Sequence, residues 1–237
     1  MPLMPWVRLP SDWINSGHGL RKIQWQGDGV GSDATAALMT LTAIAHHANS
    51  QSGIARLSYD ALCFITGLSR AKLSNGLDVL ERIRVIERMP EGRSTYSVSN
   101  FTDSNARWGK LPARSMYASG RIAAFAELRL RKENELNALK LFFLFVARRS
   151  QETNMASISY TAIERYTGIE RAKIKSATSL LAALSLIYVE HLPTDKYASG
   201  IANAYRIVGI DPYKHMGTQG RGMTAYDFDE PEIEVPF

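Results

Sequence analysis

The sequence predicts a mainly helical α+β protein with small β-hairpins, built as two copies of one module followed by a tail. Three observations carry this expectation. Helical and strand-like segments alternate in a fixed order, the order recurs at a near-constant offset of 101 residues, and the composition is that of a packed protein. The chain has 237 residues, of which 45% are hydrophobic and 22% charged, with a net charge of +5. Those values exclude bulk disorder and a collagen-like chain. A single cysteine, Cys63, excludes an internal disulfide and reads as a small buried hydrophobe in a reducing cytoplasm.

Thr35 to Ala48 reads as a helix, because Leu38, Leu41, Ile44 and Ala45 recur at helical spacing. Gly53 breaks it, and Ile54 to Leu57 reads as a short strand. Ser58 is a good N-cap for a second helix, which stops at Thr66-Gly67, where glycine can take the left-handed conformation. Ser69 caps a third helix with a buried stripe of Leu73, Leu77, Leu80 and Ile83. Val85 to Arg88 reads as a strand, Pro90-Glu91-Gly92 as a turn, and Thr95 to Val98 as the returning strand.

The same order follows in the second half. Ser58-Tyr59-Asp60-Ala61 reappears as Ser159-Tyr160-Thr161-Ala162, Thr66-Gly67 as Thr167-Gly168, and Arg70-Ala71-Lys72-Leu73 as Arg171-Ala172-Lys173-Ile174. Each copy opens on a Trp-x-basic-Leu-Pro motif, Trp6 to Pro10 and Trp108 to Pro112. The repeat sets the organisation: residues 1–101, a polar connector at 102–107, residues 108–210, and a linker and acidic tail at 211–237. In copy two the helices are expected from Leu136 to Arg149, from Ser159 to Thr167 and from near Glu170. Strands are expected at Ala156 to Ile158, Leu186 to Glu190 and Ala204 to Val208, with the hairpin turn across Pro193 to Ser199. Leu139 to Val146 is apolar nearly all round, so that helix is expected to be buried on several sides. Packing of the two modules on each other, a homodimer interface, and burial within one module all remain open.

Helix, strand, helix, tight turn, helix and hairpin is the order of a winged helix-turn-helix. Ser58 to Val85 resembles bacterial helix-turn-helix proteins with a Gly-Leu-Ser-Arg turn, and the tandem arrangement resembles plasmid and phage replication initiators that bind origin repeats. The resemblance implies that the third helix of each copy reads duplex DNA and that the hairpin is a wing. On that helix Ser69, Arg70, Lys72, Ser74 and Asn75 lie off the apolar stripe in copy one, and Arg171, Lys173, Lys175 and Ser176 in copy two. Arginine suits guanine, asparagine suits adenine, and serine and lysine suit phosphates. Arg88 and Arg93 in the first wing, and Lys196 in the second, are the expected wing contacts. Residues 1–101 hold 10 basic and 8 acidic side chains and residues 102–210 hold 16 and 9, so the second module is the expected tighter binder. Because the two reading helices differ, the expected target is a direct repeat or an asymmetric site.

The tail from Tyr226 to Phe237 has five acidic residues and no basic one, and ends in Pro-Phe. Asp227-Phe228-Asp229 and Pro236-Phe237 resemble the C-terminal tip of bacterial single-stranded-DNA-binding proteins, with Val235 in place of the usual Ile. That resemblance implies docking on host replication proteins. A terminal Phe can fill an apolar pocket while its carboxylate meets a cation and the acidic run steers.

No enzyme, metal or cofactor signature is found. Gly27 to Gly31 lacks P-loop or dinucleotide spacing, and His46-His47 are adjacent rather than separated by one residue as nicking enzymes require. The start lacks a secretory pattern, and the most apolar run, Leu141 to Ala147, is shorter than the roughly 20 residues that span a bilayer. The expectation is a bacterial cytoplasmic, non-enzymatic, sequence-specific DNA-binding protein, favoured as a replication initiator of a plasmid, phage or integrated mobile element. A transcriptional regulator of a mobile-element operon and a protein-binding adaptor are the alternatives.

Overall fold

Short β-branched and aromatic segments pair into small antiparallel sheets around two long helices. The computed structural model describes residues 3–16, 19–25, 31–90, 94–194 and 200–210. The first half runs β1 (Trp6–Pro10), α1 (Asp12–Asn15), α2 (Gly19–Lys22), α3 (Gly31–His47), β2 (Ile54–Arg56), α4 (Tyr59–Thr66), α5 (Arg70–Arg82), β3 (Ile86–Arg88) and β4 (Thr95–Val98). The second runs β5 (Trp108–Pro112), β6 (Tyr117–Ala118), β7 (Arg121–Ile122), α6 (Glu133–Arg148), β8 (Met155–Ser157), α7 (Tyr160–Thr167), α8 (Arg171–Ala183), β9 (Ile187–Thr194) and β10 (Gly200–Ile207). The chain is therefore mixed α+β, with two three-stranded antiparallel sheets in the orders β2-β4-β3 and β8-β10-β9.

Every element of the expected order is present in both halves, with shifted ends. α3 starts at Gly31 rather than Thr35, and α6 starts at Glu133 rather than Leu136. Six elements were not expected: β1, β5, the short helices α1 and α2, and the hairpin β6–β7. Each is too short to carry a periodicity of its own, and each also makes contacts with the other half of the chain.

Those six elements join the copies. β1 pairs with β5 antiparallel, in the register Trp6↔Pro112, Arg8↔Lys110 and Pro10↔Trp108. The two strands are the same motif from each copy, so exchanging the copies leaves the pairing unchanged, with Arg8↔Lys110 at its centre. Such an isologous contact is the signature of a two-fold relation. α3 and α6, the first long helix of each copy, also pack on each other. The segments after the strands are exchanged between halves. In copy one, Trp13 packs on Phe143 of α6, and Arg21 donates to the carbonyls of Glu164 and Arg165 in α7. In copy two, Tyr117 reaches His46 and His47 of α3, and the Arg121 guanidinium lies 4.8 Å over the ring of Phe64 in α4.

One hydrophobic core consequently runs through both halves, from Leu9 and Leu38 to Leu181 and Ile207. The all-round apolar face of α6 is explained by this: Leu141, Phe142, Phe143, Leu144 and Phe145 are each buried among elements of both copies. Burying such a side chain contributes about 1.5–3 kcal/mol. Of the three readings left open by the sequence, the structure shows the packing of one module on the other. α3 is buried on nearly every side too, and two of its buried threonines return their hydroxyls to the helix, Thr35 to the Gly31 carbonyl at 3.2 Å and Thr42 to the Leu38 carbonyl at 2.8 Å. No described helix is long and apolar enough to cross a membrane.

Candidate nucleic-acid interface

In each copy a tight turn joins two helices by the same local chemistry. Ser58 caps α4 by accepting from the Ala61 amide, and Ser159 caps α7 by accepting from the Ala162 amide. Both helices end at a glycine with positive φ, Gly67 at 74° and Gly168 at 70°, where a side chain would be strained. Thr66 donates to the Leu62 carbonyl at 2.6 Å and accepts from the Leu68 amide, and Thr167 repeats this with Ile163 and Ile169. The next helix then leaves at a fixed angle. On α5 the stripe Leu73, Gly76, Leu77 and Leu80 is buried; on α8 it is Ile174, Ala177, Thr178 and Leu181. Gly76 lets α5 approach α3 closely, since a Cβ there would stand 2.9 Å from backbone atoms of Ala36 and Ala37.

The expected reading residues of copy one lie on or beside the outward side of α5, and most of them are engaged within the chain. Ser69 caps α5 through the Lys72 amide. Arg70 is exposed and pairs with Asp60 at 2.5 Å. Lys72 turns inward, donating to Ser32 at 2.5 Å and to Asp33 at 2.6 Å. Asn75 is exposed and donates to the other Asp33 oxygen at 3.1 Å, while Ser74 is half-buried. Arg88 on β3 pairs with Asp78 and, at 3.3 Å, with Glu81 of α5. Arg93 lies outside the described residues.

Copy two presents a different face. Arg171 is exposed, with its guanidinium 5.4 Å over the Tyr160 ring, and its amide is satisfied by Glu164 at 2.9 Å because Glu170 provides no side-chain cap. Lys173 repeats the tie of Lys72, reaching Glu133 at 3.1 Å and Glu170 at 3.2 Å. Those two carboxylates, Glu133 first, push its ammonium up from the ordinary lysine value. Lys175 and Ser176 are exposed, and Lys175 has no carboxylate partner among the described residues. Lys196 and the tail residues Asp227, Phe228, Asp229, Pro236 and Phe237 lie outside the described residues.

The Arg-x-Lys shared by the two copies therefore divides by role. Its lysine fastens the third helix to the start of the first long helix in both halves, and its arginine remains outside. Sequence reasoning missed a second set of cations beside α8. Arg129, Arg131 and Lys132 precede α6 and are all exposed. Their backbone is held by one carboxylate: Glu135, itself buried, accepts from the amides of Arg129, Arg131 and Lys132 at 2.7, 2.8 and 3.1 Å. The start of α6 touches α8 through Asn134, which donates to the Ser176 carbonyl, and through the Glu133–Lys173 pair. The available signal was the basic run itself, immediately before a helix.

The adjacent histidines diverge in burial yet meet one hydroxyl. Tyr117 lies 3.2 Å from Nδ1 of His46 and 3.4 Å from Nε2 of His47. Burial pushes His46 down to about 3, with the Pro112 carbonyl opposing it, and burial pushes the Tyr117 phenol up. A phenol in that state is a poor nucleophile, and the cluster acts as a tie between α3 and the β5–β6 segment. Tyr59 and Tyr160, matched in the repeat, pack at the starts of α4 and α7 against the core. Among the described residues no group of three or more His, Cys, Asp or Glu is placed to hold a metal ion. Compared with known proteins, the chain matches no family model, no curated protein and no solved structure.

Proposed function

We propose that the chain is a sequence-specific duplex-DNA-binding protein of two tandem winged helices, acting as the replication initiator of a plasmid, phage or integrated mobile element. One observation carries the DNA reading. The outward face of α8 offers the side chains of Arg171, Lys175 and Ser176 with no carboxylate partner among the described residues, and the exposed cations Arg129, Arg131 and Lys132 stand beside it on a loop braced by Glu135. A recognition helix flanked by phosphate-binding cations is the arrangement with which such folds enter a major groove. The test is salt-dependent binding to duplex DNA, which counterion release requires. Affinity that does not respond to salt, or no affinity for duplex, contradicts it.

The replication role rests on the tail, whose acidic run with Asp227-Phe228-Asp229 and Pro236-Phe237 suits docking on host replication proteins. Removing Pro236 and Phe237 is expected to abolish that partner contact and leave duplex binding intact. Recovery of the same replication proteins by both chains contradicts the docking role and moves the reading to a transcriptional regulator. Arg70, Lys72 and Arg88 all have carboxylate partners, which makes the first module the weaker contributor to duplex affinity.

A further inference from the structure

We propose that the duplex target is an inverted, imperfectly symmetric repeat, read by a single chain as a dimer reads a palindrome. The inference rests on the DNA reading above and goes beyond it. Unequal reading helices suggest a direct repeat or an asymmetric site, but the packing of the copies argues for inversion. β1 and β5 pair with Arg8 opposite Lys110, so the two Trp-x-basic-Leu-Pro motifs are exchanged by a half-turn. Trp6 stacks on Trp108 at 6.1 Å, and each ring is faced by a cation from the other copy: Lys110 lies 4.8 Å over Trp6 and Arg8 lies 5.5 Å over Trp108. The exchanged segments obey the same rule. Arg21 of copy one bonds the Arg165 carbonyl in α7, and Arg121 of copy two covers Phe64, the residue that corresponds to Arg165 in α4.

The ribbon and its stacked indoles define one two-fold, and the exchanged segments, α2 on α7 and β7 on α4, follow it, with α3 and α6 meeting across the same seam. Because α5 packs on α3 and α8 on α6, the two reading helices are exchanged by the same half-turn. Two-fold symmetry in a protein maps onto a two-fold in its operator, giving half-sites in opposite orientation. A direct repeat would need the copies related by translation, which the β1–β5 register excludes.

The symmetry is imperfect where the reading residues differ. Arg70 corresponds to Arg171, but Ser74 to Lys175 and Asn75 to Ser176. The half-sites should therefore agree at the base pairs nearest Arg70 and Arg171 and diverge at the others. The double variant Ser74→Lys/Asn75→Ser gives α5 the outward residues of α8 at these positions.

The experiment is selection of duplexes from a random library by the full chain, followed by binding to synthetic sites with the same half-sites inverted, direct or single. The expected result is enrichment of inverted half-sites, with about ten-fold weaker binding when one half is turned round. The double variant is expected to select a more symmetric inverted site than the wild type. Enrichment of direct repeats, or equal affinity for single and paired half-sites, overturns the inference while leaving duplex binding intact. Failure to enrich any duplex overturns the DNA reading, and the inference falls with it.

Discussion

Trp6 and Trp108 stack with ring centroids 6.1 Å apart and planes 13° apart, although 101 residues lie between them. They are the same position of a repeated motif, so one contact records both the duplication and the way its products face each other. The hydrophobic core beneath this half-exposed contact runs through both halves and does not divide at the connector 102–107. Even the connector is attached: the Arg107 amide donates to Asp12, and the Ser11 amide donates to the Arg107 carbonyl.

A double-mutant cycle on Trp6→Ala and Trp108→Ala is expected to return a coupling of about 0.5–1.5 kcal/mol, the value of an aromatic pair beyond its buried area. Urea unfolding followed by far-UV circular dichroism and by tryptophan fluorescence is expected to give coincident single transitions. Two separated transitions, one for each half, would show that the copies fold independently.

Lys72 and Lys173 occupy equivalent positions but should differ in their effect on stability. Lys72 bonds the buried Asp33, so Lys72→Ala leaves a desolvated carboxylate with Asn75 as its remaining side-chain donor and is expected to cost about 1–3 kcal/mol. Lys173 and Glu133 are both well solvated, and Lys173→Ala is expected to cost clearly less than Lys72→Ala. Chemical denaturation of both variants measures the difference.

Much of this was legible in the sequence because it is local. Ser58 and Ser159 cap, Gly67 and Gly168 terminate, and Leu73 and Ile174 face inward, each for a reason contained within a few neighbours. Two things were hidden for a shared reason. The pairing of β1 with β5 joins residues about a hundred positions apart, so neither strand announces its partner. The destination of Lys72 is likewise set by Asp33 on another helix, 39 residues away, and no helical pattern distinguishes an inward lysine from an outward one. The matched charge between the copies suggested shared DNA contacts. Shared packing also accounts for the shared lysine, since Lys72 and Lys173 both tie the third helix to the first long helix.

Acid should loosen the tie between α3 and the β5–β6 segment. His46 is held neutral in the folded protein, at about 3 against 6.5 in the unfolded chain, because burial excludes its charge. The unfolded state then binds more protons between those values, so this contribution is present in full above about pH 6.5 and is lost as pH falls. The expected slope is up to about 1.4 kcal/mol per pH unit. Melting temperatures between pH 7 and pH 5 should fall more steeply for the wild type than for His46→Gln, and parallel curves would remove His46 as the cause.

The brace beneath the basic loop can be separated from the cations it presents. Glu135→Ala leaves the backbone amides of Arg129, Arg131 and Lys132 without their acceptor while keeping all three charges. Duplex affinity is expected to fall, since disordered cations cost entropy to place, whereas the salt dependence should stay close to that of the wild type. An unchanged affinity would show that the loop takes no part in binding.

The proposed duplex surface is α8 and the loop beside it. Fluorescence anisotropy of a labelled duplex, titrated with the full chain over a range of salt, tests it most directly when wild type, Lys175→Ala and Arg88→Ala are compared. Lys175→Ala should flatten the dependence of log affinity on log salt by about 0.9, the loss of one phosphate contact. Arg88→Ala, whose side chain is paired with Asp78 and Glu81, should leave that slope unchanged. A flattened slope for Arg88→Ala together with an unchanged one for Lys175→Ala would place the duplex away from α8.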